Sequence, residues 1–89
     1  MRPALFLDRD GVINLDVNFL GEPSQLIVLP GAPEGIRLLQ DRFLVIVVTN
    51  QSGIGRGHFS ESDLYTVHIE LTARLAAKGV RVDAFYYCP

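Results

Sequence analysis

The sequence is poor in cysteine and lysine, with one of each, Cys88 and Lys78, among 89 residues. A single cysteine cannot form an internal disulfide, which excludes a disulfide-stapled secreted scaffold. The formal net charge of -2 provides no basic face for binding nucleic acid. No apolar run is long enough for a signal-peptide core or a membrane span. We therefore expect no nucleic-acid or membrane partner and a cytoplasmic location.

The length and hydrophobic content together predict one small folded domain over residues 1–89. A domain of this size buries only roughly 60–65% of the surface that its unfolded chain exposes, so its stability margin is thin. The hydrophobic content of 48% nevertheless argues against disorder.

Three short apolar runs predict β-strands over Ala4–Leu7, Phe43–Thr49 and Asp83–Tyr87. The middle run is continuous and rich in β-branched residues, which is typical of a strand buried on both faces. A long connection, residues 11–29, follows the first strand. Connections of that length inside small domains usually have a functional role.

Two helical patterns separate the predicted strands. The first, Glu34–Asp41, follows Pro33, which suits a first helical turn because its missing N–H would be unpaired there. The second follows Ser60 and Asp63, which resemble a capping box, and Gly79 is placed as its C-terminal cap. The alternation of strands and helices predicts an α/β fold, a Rossmann-like open parallel sheet with flanking helices and right-handed crossovers.

Two acidic residues, Asp8 and Asp10, follow the first predicted strand, where ligands bind in open parallel sheets. One carboxylate could attack phosphorus, and the other could protonate the leaving oxygen and then activate water. Because both acids and a phosphate are negative, such a site needs a screening cation, for which Mg²⁺ is suited. The alternative is that the two acids only end a strand and solvate a turn.

A second polar cluster, residues 49–57, follows the next predicted strand. The Thr49 hydroxyl and the backbone N–H groups of the glycine-rich turn could donate to a phosphoryl group, and Arg56 adds a positive charge. The alternative is a flexible loop whose glycines satisfy turn geometry. If the two strands are neighbours, both clusters face one crevice.

Three segments resemble a known family. Phe6–Asn14 is similar to the first motif of the haloacid dehalogenase-like superfamily. Val48–Gly57 is similar to the second motif in the branch that holds the D-glycero-D-manno-heptose-1,7-bisphosphate and histidinol-phosphate phosphatases. Tyr86–Pro89 resembles the start of that branch's zinc loop. The resemblance implies the N-terminal part of a haloacid dehalogenase-like core, incomplete, with about three strands and two helices.

The resemblance also implies roles for individual residues. Asp8 matches the aspartyl nucleophile and a magnesium ligand, and Asp10 matches the general acid/base and a second magnesium ligand through its carbonyl. Thr49 matches the group that stabilises the phosphoryl. The remaining substrate-binding positions are Asp16, Asn18, Phe19, Asn50, Gln51, Ser52 and Arg56. Val17 and Phe19 stand where the heptose enzymes commonly have His and Tyr, which leaves the exact sugar open.

Cys88 matches the first of four zinc ligands of the family. Judged from the residues alone, a lone cysteine near a strand end is more often a small buried hydrophobe. The family's later motifs supply a lysine, acidic magnesium ligands and the other zinc ligands, and the sequence ends before them. Lys78 lies near a helix end and does not replace that lysine.

The sequence therefore predicts a magnesium-dependent sugar-phosphate phosphatase, with heptose bisphosphate as the favoured substrate. The alternatives are a histidinol-phosphate phosphatase, a polynucleotide 3′-phosphatase, whose loop motif is similar, and a truncated fragment without activity. Without the later strands of the family fold, the first strand is expected at an exposed sheet edge, where the chain could self-associate.

Overall fold

A computed structural model describes residues 2–89. It contains three strands and three α-helices, numbered here in chain order, and a 3₁₀ turn at Pro23–Gln25. The strands are β1 (Ala4–Asp8), β2 (Leu44–Asn50) and β3 (Ala84–Cys88), and the helices are α1 (Ala32–Leu39), α2 (Ser52–Gly55) and α3 (Glu61–Ala76). Along the described part of the chain, every helix falls short of the length and apolarity that crossing a membrane requires.

The strands form one parallel sheet in the order β1-β2-β3. This confirms the predicted α/β fold and makes the first two strands neighbours. The first strand begins at Ala4 as predicted and ends one residue later, at Asp8, whereas the second and third strands are each displaced by one residue and end at Asn50 and Cys88. The register pairs Asp8 with Val48 and Asn50 with Cys88, so the ends of all three strands lie along one side of the sheet.

Both long helices lie on the same face of the sheet. The strand order progresses in one direction, and right-handed crossovers then place successive helices on one side. The buried cluster agrees, since it contains Val45 and Val47 of β2 together with Ile36 of α1 and Leu71 of α3. This face holds the hydrophobic core.

The opposite face of the sheet is open to solvent over much of its area. Phe6 is 64% exposed and Tyr86 is 62% exposed, and both lie on strands whose other face is packed. Strand β1 has a neighbour on one side only among residues 2–89, which agrees with the predicted exposed edge.

The helix ends follow the local sequence. Pro33 lies in the first turn of α1, which begins at Ala32 and is therefore displaced by two residues from the predicted range. The capping box of α3 is formed, because Asp63 N–H donates to Ser60 Oγ at 3.0 Å and Ser60 N–H donates to Asp63 Oδ2 at 2.9 Å. Gly79 follows that helix with a φ of +77°, a conformation that favours glycine.

The long connection after β1 is ordered rather than loose. Leu15 N–H donates to the Ile27 carbonyl at 2.8 Å, and Leu29 N–H donates to the Ile13 carbonyl at 2.9 Å. The Arg74 guanidinium of α3 also donates to the Leu26 carbonyl. The connection is therefore folded back on itself and attached to α3, which fixes the segment beside the strand ends.

Candidate active site

The chain after β1 turns sharply and places Asp10 above the sheet. The Arg9 carbonyl accepts hydrogen bonds from the N–H groups of Val12, Ile13 and Asn14 at 2.8–3.3 Å. Gly11 has a φ of +83°, which a residue with a side chain rarely adopts. The turn is thus built from backbone bonds, and its shape depends on glycine at position 11.

The Asp10 carboxylate is held by three side chains. Its Oδ1 accepts from Arg9 Nη2 at 2.8 Å, from Arg9 Nε at 3.0 Å and from Asn14 Nδ2 at 3.0 Å. Its Oδ2 accepts from Gln51 Nε2 at 3.1 Å. The Asp10 side chain is still 24% exposed. Hydrogen bonds to a charged group are among the stronger ones in proteins, so they fix one orientation of the carboxylate while leaving it reachable.

Gln51 joins the two predicted polar clusters. The same amide nitrogen that donates to Asp10 also donates to Thr49 Oγ1 at 2.6 Å. Gln51 is 4% exposed and Thr49 is 8% exposed. Because the Thr49 oxygen acts as the acceptor in this bond, its own hydrogen is available to another group. The clusters after β1 and β2 therefore form one hydrogen-bonded unit.

Asp8 differs from Asp10 in its exposure. It is the last residue of β1 and is exposed. Together with Thr49, Asn50 and Cys88 it lines an open cavity of about 350 Å³ at the strand ends. An accessible carboxylate can act as a nucleophile, and the neighbouring hydroxyl group can donate a hydrogen bond to a phosphoryl oxygen.

A second cavity, of about 150 Å³, lies between the long connection and the turn after β2. Its lining contains Asp10 and most of the predicted substrate-binding positions, namely Asp16, Asn18, Phe19, Asn50, Gln51 and Ser52. Arg56 lines neither cavity and is exposed at the end of α2. The structure thus brings together all the predicted site residues except Arg56.

Aromatic packing attaches the connection to α2. The Phe19 ring stacks on His58 with centroids 3.9 Å apart, and Phe19 itself has a φ of +55°. A Cβ atom at Gly53 would lie 2.5 Å from Phe59 Cε1 and 2.8 Å from Phe19 Cδ1. Glycine at position 53 is therefore needed for this packing. The short helix α2, where the sequence predicted only a glycine-rich loop, is part of the same arrangement.

Three residues of the site were not predicted from the sequence: Arg9, Asn14 and His68. Arg9 and Asn14 are both fully buried, although their residue types are mostly found at the surface. His68 is 8% exposed, and its Nε2 lies 3.0 Å from Arg9 Nη1. A signal for His68 was present, because it occupies the same face of α3 as Leu64 and Leu71. No local pattern indicates Arg9 or Asn14.

His68 is electrostatically distinct from a surface histidine. Its pKa is lowered from 6.5 to about 4, chiefly by burial and then by the Arg9 charge, while the Asp10 charge acts in the opposite direction. Its ring stacks on Phe85 with centroids 4.3 Å apart. The ring is consequently neutral at pH 7. Since Arg9 can only donate, Nε2 is the acceptor and the proton resides on Nδ1.

The candidate metal ligands form a partial set. Within residues 2–89, no group of three or more His, Cys, Asp or Glu side chains could hold a metal ion. Asp8 and the backbone carbonyl of Asp10 fit magnesium, which commonly takes one or two carboxylates together with substrate phosphate and water. Cys88 is a free, exposed thiol, so the described residues do not form the predicted zinc site.

Comparison with known proteins gives consistent neighbours, although no protein-family model matches the chain. It is 44% identical over 87 residues to a probable D-glycero-D-manno-heptose-1,7-bisphosphate 7-phosphatase of Thermoplasma volcanium, covering 97% of this chain and 60% of that protein. It is 43% identical to the D-glycero-beta-D-manno-heptose-1,7-bisphosphate 7-phosphatase of Rhodopseudomonas palustris, covering 99% of this chain and 49% of that one.

A solved structure agrees with both the fold and the relatives. The crystal structure of D,D-heptose 1,7-bisphosphate phosphatase from B. bronchiseptica, complexed with magnesium and phosphate, matches with a TM-score of 0.90 and 41% identity. The match covers 100% of this chain and 50% of that one. The chain thus spans about half the length of the proteins that it resembles.

Proposed function

We propose that the chain is part of a haloacid dehalogenase-like phosphatase and carries the nucleophile and the acid/base of this magnesium-dependent enzyme. The favoured substrate is the heptose 1,7-bisphosphate of its relatives, hydrolysed through an aspartyl-phosphate intermediate. The observation that carries the proposal is the contrast between two neighbouring carboxylates. Asp8 is open to a cavity, whereas Asp10 is held by Arg9, Asn14 and Gln51.

The proposed reaction has two steps. In the first, the Asp8 carboxylate forms a bond to phosphorus as the bond between phosphorus and the sugar oxygen breaks, and Asp10 gives its proton to that oxygen. In the second, Asp10 takes a proton from water, which attacks the aspartyl phosphate. Inorganic phosphate leaves, and Asp8 returns as a carboxylate. The hydrogen bonds on Asp10 keep it oriented for both proton transfers.

The surrounding polar groups would bind the substrate. The free hydroxyl hydrogen of Thr49 would donate to the transferring phosphoryl group, next to Asn50. Asp16, Asn18 and Ser52 line the smaller cavity and would contact the sugar. Both cavities include Asn50, so a substrate spanning them would place its phosphate beside Asp8 and its sugar beside the long connection.

Magnesium would be held by Asp8 and by the backbone carbonyl of Asp10. When bound, the ion would screen the negative charges of the acids and the phosphate. Zinc would require ligands in addition to Cys88. Within residues 2–89, Cys88 does not belong to a group of three or more His, Cys, Asp or Glu side chains that could hold a metal ion. Zinc binding therefore stays a prediction from the sequence. The cytoplasmic location is a separate prediction from the sequence.

We expect the 89-residue chain by itself to have little turnover. It spans about half of its relatives, and losing one preorganised charge-stabilising group usually costs on the order of 100- to 1,000-fold in rate. The exposed edge of β1 and the open face beside it would also favour self-association.

The proposal is tested by single-turnover chemistry. Heptose bisphosphate, histidinol phosphate and a 3′-phosphorylated oligonucleotide are each mixed with an excess of the chain and magnesium, and released phosphate and phosphorylated protein are measured. We expect slow release from the heptose substrate and a phosphoryl group on Asp8. Both should disappear in Asp8→Asn but not in Asp41→Asn, which changes an exposed acid after α1.

Two outcomes would contradict the proposal. Release from the oligonucleotide alone would favour a polynucleotide 3′-phosphatase. Release that persists in Asp8→Asn would exclude Asp8 as the nucleophile. Fast turnover by the native chain, lost in Asp8→Asn, would leave the phosphatase proposal intact but refute the expectation of low activity.

A further inference from the structure

A buried chain of hydrogen bonds connects α3 to the Asp10 carboxylate. His68 of α3 accepts from Arg9 Nη1 at 3.0 Å, and Arg9 donates through Nη2 and Nε to Asp10. His68 and Arg9 are 59 positions apart in the sequence, so the fold alone brings them together. Arg9 directly follows β1, whereas His68 lies within α3, in the crossover between β2 and β3.

Arg9 needs an acceptor at the end that faces away from Asp10. A guanidinium group has five N–H donors and cannot lose its proton, and this one is 0% exposed. Two of its nitrogens point to Asp10, and Nη1 is directed at His68. A buried charged donor without a partner is costly. Without an acceptor at position 68, we expect the guanidinium to turn away from Asp10 toward water.

His68 is suited to be this acceptor because its ring is itself fixed. It stacks on Phe85 of β3, and the Thr72 hydroxyl donates to the His68 carbonyl at 2.8 Å. A neutral imidazole in this orientation presents the Nε2 lone pair to Arg9. The opposite tautomer would place two donors face to face.

We propose that His68 is a positioning residue for Asp10, acting through Arg9. His68 lies outside both cavities at the strand ends and has no direct contact with substrate-binding groups. Its contribution is to keep the guanidinium in the plane that binds Asp10 Oδ1. The inference rests on the proposed function only in that Asp10 is the acid/base; the hydrogen-bond chain exists independently of turnover.

The test uses nuclear magnetic resonance on the 89-residue chain, so it needs no activity. The ring nitrogens of His68 report the tautomer, the Arg9 Nε–H exchange rate reports its protection, and the carbon shift of the Asp10 carboxyl group at pH 7 reports its hydrogen bonding. Three variants are compared. His68→Leu removes the acceptor, His68→Gln retains one, and His58→Gln changes the exposed histidine as a control.

In the native chain we expect a proton on Nδ1 and none on Nε2 of His68. In His68→Leu, Arg9 Nε–H exchange should accelerate on the order of tenfold, as expected when a hydrogen bond to a charged group is lost. The carbon shift of the Asp10 carboxyl group should change with it. His68→Gln should restore both values toward native, and His58→Gln should change neither.

A proton on Nε2 in the native chain would refute the inference without any variant, so it can be tested even if His68→Leu does not fold. A native Arg9 exchange rate and a native Asp10 carbon shift in a folded His68→Leu would also refute it. If the chain of hydrogen bonds is confirmed but no phosphoryl transfer to Asp8 occurs, the proposed function fails and the positioning of Asp10 stands.

Discussion

Acidification should destabilise the folded chain through His68. Its pKa is about 4 in the folded state and 6.5 when unperturbed, so between these values only the unfolded chain binds the proton. Stability rises with pH wherever the unfolded state binds more protons. The contribution of His68 is therefore complete above pH 6.5, is lost as the pH falls toward 4, and decreases no further below that value.

The magnitude follows from the two pKa values. Each unit of difference corresponds to about 1.4 kcal/mol, so the neutral histidine is worth roughly 3 kcal/mol at pH 7 relative to pH 4. Among the charged groups near the ring, Arg9 opposes its protonation and Asp10 favours it. Glu61 lines the same cavity as His68. For a domain of this length, about 3 kcal/mol is a large part of the total stability.

The assay is urea unfolding followed by circular dichroism at several pH values between 7 and 4, at two protein concentrations to detect association. The native chain should lose about 3 kcal/mol more than His68→Gln over this range, since glutamine does not titrate. His58→Gln should retain the native slope. Parallel pH profiles for the native chain and His68→Gln would refute the reasoning.

Asp83 is a separate source of acid sensitivity. Its pKa is lowered chiefly by a hydrogen bond from Val45 N–H, so its contribution to stability is lost mainly below pH 3.8.

Two further predictions concern packing and association. Gly53→Ala should destabilise the chain by about 1–3 kcal/mol in urea unfolding, because its Cβ would lie 2.5 Å from an aromatic carbon, whereas Gly55→Ala, whose Cβ meets nothing within 4 Å, should not. An unchanged midpoint for Gly53→Ala would contradict the aromatic packing described here. Phe6→Lys should reduce self-association in analytical ultracentrifugation, because lysine protects an edge strand from pairing, and Tyr65→Lys on α3 should not. Equal association of the two variants would exclude the β1 side of the sheet as the interface.

The sequence was sufficient for the arrangement of strands and helices because their signals are local. Continuous β-branched residues predicted β2, and Ser60 with Asp63 predicted the start of α3. The ends of the strands were less accurate because Asp8 and Asn50 are polar residues that still join the ladder. Helix α2 could not be expected from propensity, since two of its four residues are glycine.

The candidate site was predictable only where its residues stand next to strand ends. Asp8, Asp10 and Thr49 have such positions, and a family resemblance adds the rest of the second cluster. The bonds that hold Asp10 come from residues that are far apart in sequence, such as Gln51 and His68. Nothing within a local window distinguishes the buried Arg9 from a charged residue in a turn. The hydrogen bond between Arg9 and His68 can form only after the sheet and α3 have formed.

The two carboxylates depend on different parts of the molecule. Every group that orients Asp10, from Arg9 and Asn14 to Gln51, lies within the described residues, and the turn that carries it is closed by its own backbone bonds. Asp8 instead faces an open cavity at the end of a strand with one unpaired edge. The 89 residues can therefore preorganise the proposed acid/base on their own. The proposed nucleophile needs further positive charge beside it to stabilise an attacked phosphate. This difference is why we expect the hydrogen-bond chain through His68 to be measurable even where turnover is low.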